Sequence, residues 1–328
     1  MKKQLFLIIG MCLFSSSLLA CDLCSIYMNI EPNDLKNSFG FNYRFRNFEH
    51  TSIQQTIIEN PNKHALGSTV LNEATRQEER YNSYDLWVNY FVKDKWQVFG
   101  NMTFTDNTYL ENDSILHNIS GPGDLTVITK YLLYSSKVTD STKWTIRVQV
   151  GGGLKLPTGT FNKTHIETPS RDYKGGTVYS APIEELDPHF QAGTGSLDYI
   201  LMSEFQVRKN QFGLRSDVSY RINGTNKNDF RFANRLNANA HVFYQIKWKK
   251  MNLIPLVGMN FESSRRDTWK GKEYDNSGGN AVFLSYGTKI YINKMAFGAS
   301  FWDPIRQSLN DNQLQNNMRF STDLTFYF

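Results

Sequence analysis

Residues with the types and spacing for chemistry fall in four places. Cys21-Asp22-Leu23-Cys24, with Met28 close behind, sets two thiols at a spacing that can close a disulfide or hold a soft metal such as Cu(I). No histidine follows Cys24, so the c-type haem attachment pattern is missing, and the flanking residues lack the partners of a four-ligand zinc site. Leu18, Leu19 and Ala20 also have the shape of a bacterial lipoprotein cleavage site, which would commit Cys21 to a lipid anchor; ordinary cleavage after Ala20 is the alternative. Further along, Glu184, Glu185, Asp187 and His189 cluster, with His165 and Glu167 upstream. Calcium takes oxygen ligands of this kind, but the regular spacing of a calcium loop is missing, and a solvated surface is the plainer expectation. His241 is the third place. A Ser–His hydrolase pair would want a serine two residues beyond it, and Phe243 stands there. No catalytic residue, no enzyme activity and no cofactor is therefore expected. The fourth place is a series of charged residues at alternate positions, whose meaning depends on the elements that carry them.

Residues 1–20 read as a signal peptide: Lys2 and Lys3, an apolar stretch from Leu5 to Phe14, then Ser15 to Ala20. That stretch is too short for a stable membrane-spanning helix. Beyond it no run approaches the roughly 20 apolar residues such a helix needs. Yet 23 Phe, 17 Tyr and 6 Trp make 14% of the chain aromatic at a mean hydropathy of -0.47. Many aromatics at low hydropathy suit strands that are half polar and carry aromatic girdles at two membrane interfaces. Without Lys2 and Lys3, 34 basic residues face 31 acidic ones, which is no footprint for nucleic acid. Cys12 leaves with the signal, and two remaining cysteines cannot staple a chain this long.

From Asn37 onward the dominant pattern is period-two alternation. Phe39, Phe41, Tyr43 and Phe45 alternate with Gly40, Asn42, Arg44 and Arg46; Trp144, Ile146, Val148 and Val150 alternate with Thr145, Arg147, Gln149 and Gly151. The same rhythm predicts strands near 37–49, 80–92, 95–106, 123–135, 142–156, 196–208, 211–223, 236–248, 251–263, 279–292, 295–303 and 318–328. Tight turns near Lys93–Lys95, Lys209–Gln211, Lys249–Met251 and Asn293–Lys294 alternate with long polar stretches near 50–79, 107–122, 157–195, 224–234, 264–278 and 304–317. Short turns on one side and long loops on the other are the topology of an outer-membrane barrel. Phe328 closes an alternating strand with Leu324 and Phe326 on its face, the form of the sorting signal read by the barrel-assembly machinery. The expected fold is all-β: a transmembrane antiparallel β-barrel of about twelve strands over 37–328. Residues 21–36 form a periplasmic N-terminal segment and a candidate plug. Lipid offers no hydrogen-bond partner to a sheet edge, so the first and last strands must pair.

Alternation then assigns a lumen face: Arg44, Arg46, Asp85, Lys130, Arg147, Asp198, Glu204, Arg208, Arg215, Asp217, Arg221, His241, Lys247, Lys289, Arg319 and Asp323. Such residues either fill the interior as ion pairs or line a conduit, with Arg44, Arg46, Lys130, Arg147, Asp198, Glu204, Arg215, Asp217, His241 and Arg319 as solute-contact candidates. Register decides which charges pair.

Three motifs stand apart: Gly121-Pro122-Gly123-Asp124, then Lys155-Leu156-Pro157-Thr158-Gly159, then Gly193-Thr194-Gly195-Ser196-Leu197-Asp198. Gly121, Gly123, Gly193 and Gly195 are expected to supply backbone conformations that other residues avoid. Asp124 and Asp198 are expected to face inward and pair with lumen arginines or accept backbone hydrogen bonds. In this order the motifs resemble the outer-membrane family described as the "MetA-pathway of phenol degradation" proteins, over about residues 120–200. The resemblance implies a transporter-like barrel, distantly similar to those that move aromatic hydrocarbons and fatty acids. The expectation is passive passage of a small apolar or amphipathic solute, aromatic solutes included, through an outer-membrane barrel exported by its signal peptide. Its partners would be outer-membrane lipid, the assembly machinery and that solute, with no nucleic acid. The alternative is a structural or interaction protein that partners a periplasmic metal or redox system through Cys21 and Cys24.

Overall fold

A computed structural model describes residues 36–58, 69–136, 144–161, 164–165, 184–185, 187–275, 277–310 and 314–328; side chains at 51–75, 164–165 and 184–185 are outside the description. Twelve antiparallel strands form the wall: β1 (Ser38–Ile58), β2 (Thr69–Lys93), β3 (Trp96–Glu111), β4 (Leu125–Ser135), β5 (Trp144–Leu156), β6 (Asp198–Lys209), β7 (Phe212–Ile222), β8 (Arg235–Tyr244), β9 (Met251–Ser264), β10 (Gly279–Ile292), β11 (Met295–Leu309) and β12 (Leu314–Tyr327). Each pairs with the next in sequence, and β1 pairs with β12 from Ser38↔Tyr327 to Arg46↔Arg319, so the sheet closes.

The reason these residues close into a barrel is visible in where each face points. Leu86, Tyr90, Trp248 and Phe328 on the outer face are 62%, 49%, 64% and 59% exposed, while Asp85, Asn260 and Ser285 on the inner face are fully buried. A soluble sheet would do the reverse. Apolar rings and branched chains pointing outward require lipid around the wall, and a wall in lipid cannot leave a ladder unpaired. The tight turns of the short side are two-residue hairpins, with Asn210, Lys249 and Asn293 at positive φ as such turns demand.

The wall extends further outward than the alternation predicts. The polar stretch 50–79 is strand on both sides of residues 59–68, with β1 and β2 paired as far as Ile58↔Thr69. The stretch 107–122 is a hairpin as well, β3 continuing to Glu111 and pairing with the strand segment Ser114–Pro122 that leads into β4. Backbone pairing does not need an apolar face once the ladder has left the bilayer, so sequence alternation underestimates strand length there. Inside, three apolar clusters lie at different heights. Phe243, Ile254, Leu256, Tyr291 and Ala296 sit near the short turns; Trp87, Phe99, Ile128, Ile200 and Met202 sit on one wall midway. Phe48, Tyr81, Ile119, Phe190, Ala281, Phe283, Trp302 and Leu309 gather toward the long loops.

Candidate functional site

The three sequence motifs meet at the outer rim. Lys155, at the end of β5, lies between Asp124 and Asp198, 2.7 Å and 2.8 Å from their carboxylates. Asp124 also accepts the Gly159 N–H at 3.0 Å, the Thr194 N–H at 2.9 Å and the Thr194 hydroxyl at 2.8 Å. Asp198 accepts the Gly224 N–H and the Ser196 hydroxyl. All three charged side chains are at least nine-tenths buried, so each depends on the others for its charge to be tolerated. The cation is thus the lysine of the middle motif, where the sequence suggested lumen arginines. The glycines also act differently from expectation. Of Gly121, Gly123, Gly193 and Gly195, only Gly195 has positive φ. Gly193 is needed for close approach instead: a Cβ there would lie 2.8 Å from the Gly159 Cα, and one at Gly159 would lie 2.7 Å from the Gly123 carbonyl carbon. Gly121 sits in a regular ladder opposite Thr105, and Pro157 turns the chain away from the end of β5. Together these contacts pin both ends of the long connection between β5 and β6 onto the rim.

Below the rim the lumen charges are paired. Arg44 grips Asp85 with two hydrogen bonds of 2.8 Å and 3.1 Å, and Asp85 also accepts from Asn42 and Thr103. Lys130 at 2.9 Å and Arg215 at 3.3 Å flank Glu204. Asn239 links Asp217 to Asn260. Arg319 bonds Glu262 at 2.8 Å and lies 4.3 Å over the Phe283 ring, and Lys289 pairs with Asp323 at 2.9 Å. Arg46 lies over the Tyr81 ring, Arg208 donates to Gln245, and Arg147 stands opposite Gln206 in the ladder, half-buried. Lys247 is exposed at the short-turn edge and outside this network. His241 is 2.8 Å from the Ser285 hydroxyl, with both side chains buried in the lumen network and away from the lipid face.

Midway along the lumen one wall is apolar. Trp87 and Phe99 stack at 6.2 Å between ring centroids, with Ile128, Ile200 and Met202 beside them. β5 crosses this patch as Gly151-Gly152-Gly153, and a Cβ at Gly153 would fall 2.6 Å from the Ile128 Cγ1. The missing side chains let neighbours from β4 and β6 cover β5.

At the outer mouth Asp187 caps a single 3-10 turn, Pro188–Phe190. His189 bonds Asp187 at 2.6 Å through Nδ1 and Asp267 at 2.5 Å through Nε2. Its ring is boxed by Phe230, Phe232 and Tyr274. Phe190 points the other way, onto Tyr81 and Tyr109 of β2 and β3, while Asn107 holds its carbonyl at 2.9 Å. Because β2–β3 and the loop after β9 lie on opposite sides of the barrel, this turn is a strap across the mouth. Burial disfavours the imidazolium, but the Asp187 carboxylate and the bond to Asp267 outweigh it and hold His189 up to about 10. Burial also opposes the Asp187 charge, yet His189 holds that carboxyl down to about 2. Burial and then Asp187 push Tyr274 up to about 12. Asp187 and His189 are thus engaged where a solvated loop surface was expected. Asp267, Tyr274, Phe230 and Phe232 were not singled out from sequence, although Phe230 and Phe232 flanking one arginine in a polar loop are a signal. Among the described residues no group of three His, Cys, Asp or Glu is arranged to hold a metal ion. Cys21, Cys24, the rest of the N-terminal segment before Lys36, and Glu167 lie outside the described residues.

No family model and no curated relative matches the sequence. Among solved structures the COG4313 outer membrane channel from Pseudomonas putida F1 superposes with a TM-score of 0.58 at 13% identity, covering 92% of this chain and 98% of that one. The transport unit of the autotransporter AIDA-I from Escherichia coli gives 0.42 at 8% identity over 93% and 94%. The CymD monoaromatic hydrocarbon channel gives 0.36 at 9% identity over 89% and 88%. At these identities the first likeness establishes the fold: this chain is a transmembrane antiparallel β-barrel of the outer-membrane type along nearly its whole length. It is the fold that the resemblance of the three motifs implied.

Proposed function

We propose that this barrel passes a small apolar or amphipathic solute, aromatic solutes among them, passively across the outer membrane, with the strap at His189 as its outer closure. The observation that carries the reading is the apolar wall of Trp87, Phe99, Ile128, Ile200 and Met202 midway along a lumen that also holds the ion pairs of Arg44 with Asp85 and Lys130 with Glu204. A solute with a flat apolar face gains from such a wall, and the charged groups beside it on the same strands disfavour a fully apolar occupant from staying. Residues 1–20 would direct export, and the last strand would be read by the assembly machinery.

The test is single-channel recording in planar bilayers, with and without residues 21–36, together with uptake of aromatic and fatty solutes into liposomes. Trp87→Ala with Phe99→Ala should reduce solute-induced current blocks and uptake at least tenfold while leaving the folded barrel intact. Equal uptake by the variant and the parent chain, or no uptake by any form, sinks the reading.

A further inference from the structure

The outer wall carries a cleft that transport does not use. Tyr220, Leu236 and Ser263 are adjacent in the ladders of β7, β8 and β9 and form one row at the outer ends of those strands, with Tyr220 exposed toward lipid. Above that row the connections after β7 and β9 fold over as a small sheet, Phe230–Arg231 with Thr268–Trp269 and Lys272–Glu273. Between row and sheet lies a cleft of about 630 Å³, also lined by Arg231, Arg265, Arg266 and Glu273.

Three guanidinium groups against one carboxylate make this a cationic cleft. Arg231 uses its Nε on the Asn223 carbonyl and one terminal nitrogen on Asn234, which leaves other donors free among the described residues. Arg265 is exposed and its side chain makes no hydrogen bond or ion pair among the described residues. Arg266 is 3.8 Å from Glu273 and 3.7 Å from Asp275, both largely exposed, which keeps these two contacts weak. Arginine forks match phosphate oxygens in pairs, and basic pockets at headgroup height take anionic lipid heads. Below the cleft, Tyr220 and Leu236 continue into Val218, Met259 and Phe261 on the lipid-facing wall.

We propose that this cleft binds a phosphorylated glycolipid of the outer leaflet, its phosphate held by Arg231, Arg265 and Arg266 and its acyl chains lying down the wall over Tyr220 and Leu236. The charge is at the outer end, the apolar track descends from it, and Tyr220 and Leu236 set the cleft on the lipid-facing side of the wall. A free anion would need the first feature only. The inference rests on the outer-membrane setting and is independent of the solute reading, so either can fail alone.

The test is native mass spectrometry of the full barrel in detergent with bisphosphorylated lipid A, fully dephosphorylated lipid A and inorganic phosphate as separate probes. The expected result is retention of bisphosphorylated lipid A, at least tenfold weaker retention of the dephosphorylated form, and no displacement by millimolar phosphate. Arg231→Gln with Arg265→Gln and Arg266→Gln should lower retention at least tenfold, whereas Lys209→Gln on the opposite rim should not. If the triple variant loses its heat-resistant folded band, Arg265→Gln alone is read, with a threefold loss expected. Equal retention of both lipids, displacement by phosphate, or unchanged binding in the folded variant overturns the assignment.

Discussion

Replacing His189 by Gln removes the charge that ties the strap across the mouth and leaves Asp267 with Arg235 as its remaining cation. Lifting a histidine from 6.5 to about 10 corresponds to a net stabilisation of the imidazolium near 5 kcal/mol, after the cost of burial, at about 1.36 kcal/mol per pKa unit. The Asp187 side chain is half exposed, so solvent screens much of its share, whereas the Asp267 side chain is only 2% exposed. A cost on the order of 2 kcal/mol remains, or roughly a 30-fold shift from strapped to unstrapped. The pH dependence has a definite sign. A histidine whose value is raised in the strapped state contributes fully below its ordinary 6.5 and loses that contribution as pH climbs through about 10. Asp187, depressed to about 2, contributes above the ordinary carboxylate range and fails only toward pH 2. Amide exchange of residues 187–193 should therefore be about 30-fold faster in the Gln variant at pH 6 to 7. That gap should close by pH 10.5, where the parent strap is also released. Equal protection in the two proteins at pH 7, or a gap that persists at pH 10.5, would refute the charge-tied strap.

Lys155→Met should strand Asp124 and Asp198 as uncompensated buried carboxylates at about 3–5 kcal/mol, seen as a lower urea midpoint of the detergent-folded barrel. Gly193→Val should prevent the outer rim from closing and cut the yield of heat-modifiable folded protein, while Gly152→Ala, whose Cβ meets nothing nearer than 3.6 Å, should fold normally. Phe190→Ala should cost about 3–5 kcal/mol within the outer apolar cluster and raise open probability in bilayers without lowering the global unfolding midpoint by that much.

The wall was legible because alternation is a direct imprint of a membrane on one face and a polar lumen on the other. Phe39 to Arg46 and Trp144 to Gly151 declare both faces at once. The lumen's apolar wall was not legible for the same reason. Leu86-Trp87-Val88 and Tyr199-Ile200-Leu201-Met202 are apolar on both faces, and alternation assigns no side where it is absent. The charged residues of the wall, Lys247 excepted, face inward as the alternation assigns them, but their partners depend on which strands neighbour one another and in what register, so Lys155 was missed as the cation between Asp124 and Asp198. The strap joins residues far apart in sequence, Asp187, His189 and Asp267, with Phe190 anchored on Tyr81; short-range spacing cannot reveal contacts made across a barrel mouth.

The ladder between β1 and β12 has a kinetic consequence. Every other pairing in the wall joins strands that follow one another, so it can zip strand by strand, with residues 157–197 between β5 and β6 as the longest connection to close. The seam alone joins residues some 280 positions apart, and closing a loop of that length costs about 5 kcal/mol of chain entropy. Nine consecutive pairs from Ser38↔Tyr327 to Arg46↔Arg319, with Phe39 stacked on Phe326, must offset that cost together. The late species on the way to the native state is then an open, curled sheet with two bare edges. Substitutions along the seam should slow the final step of folding, and those elsewhere in the wall should chiefly hasten unfolding.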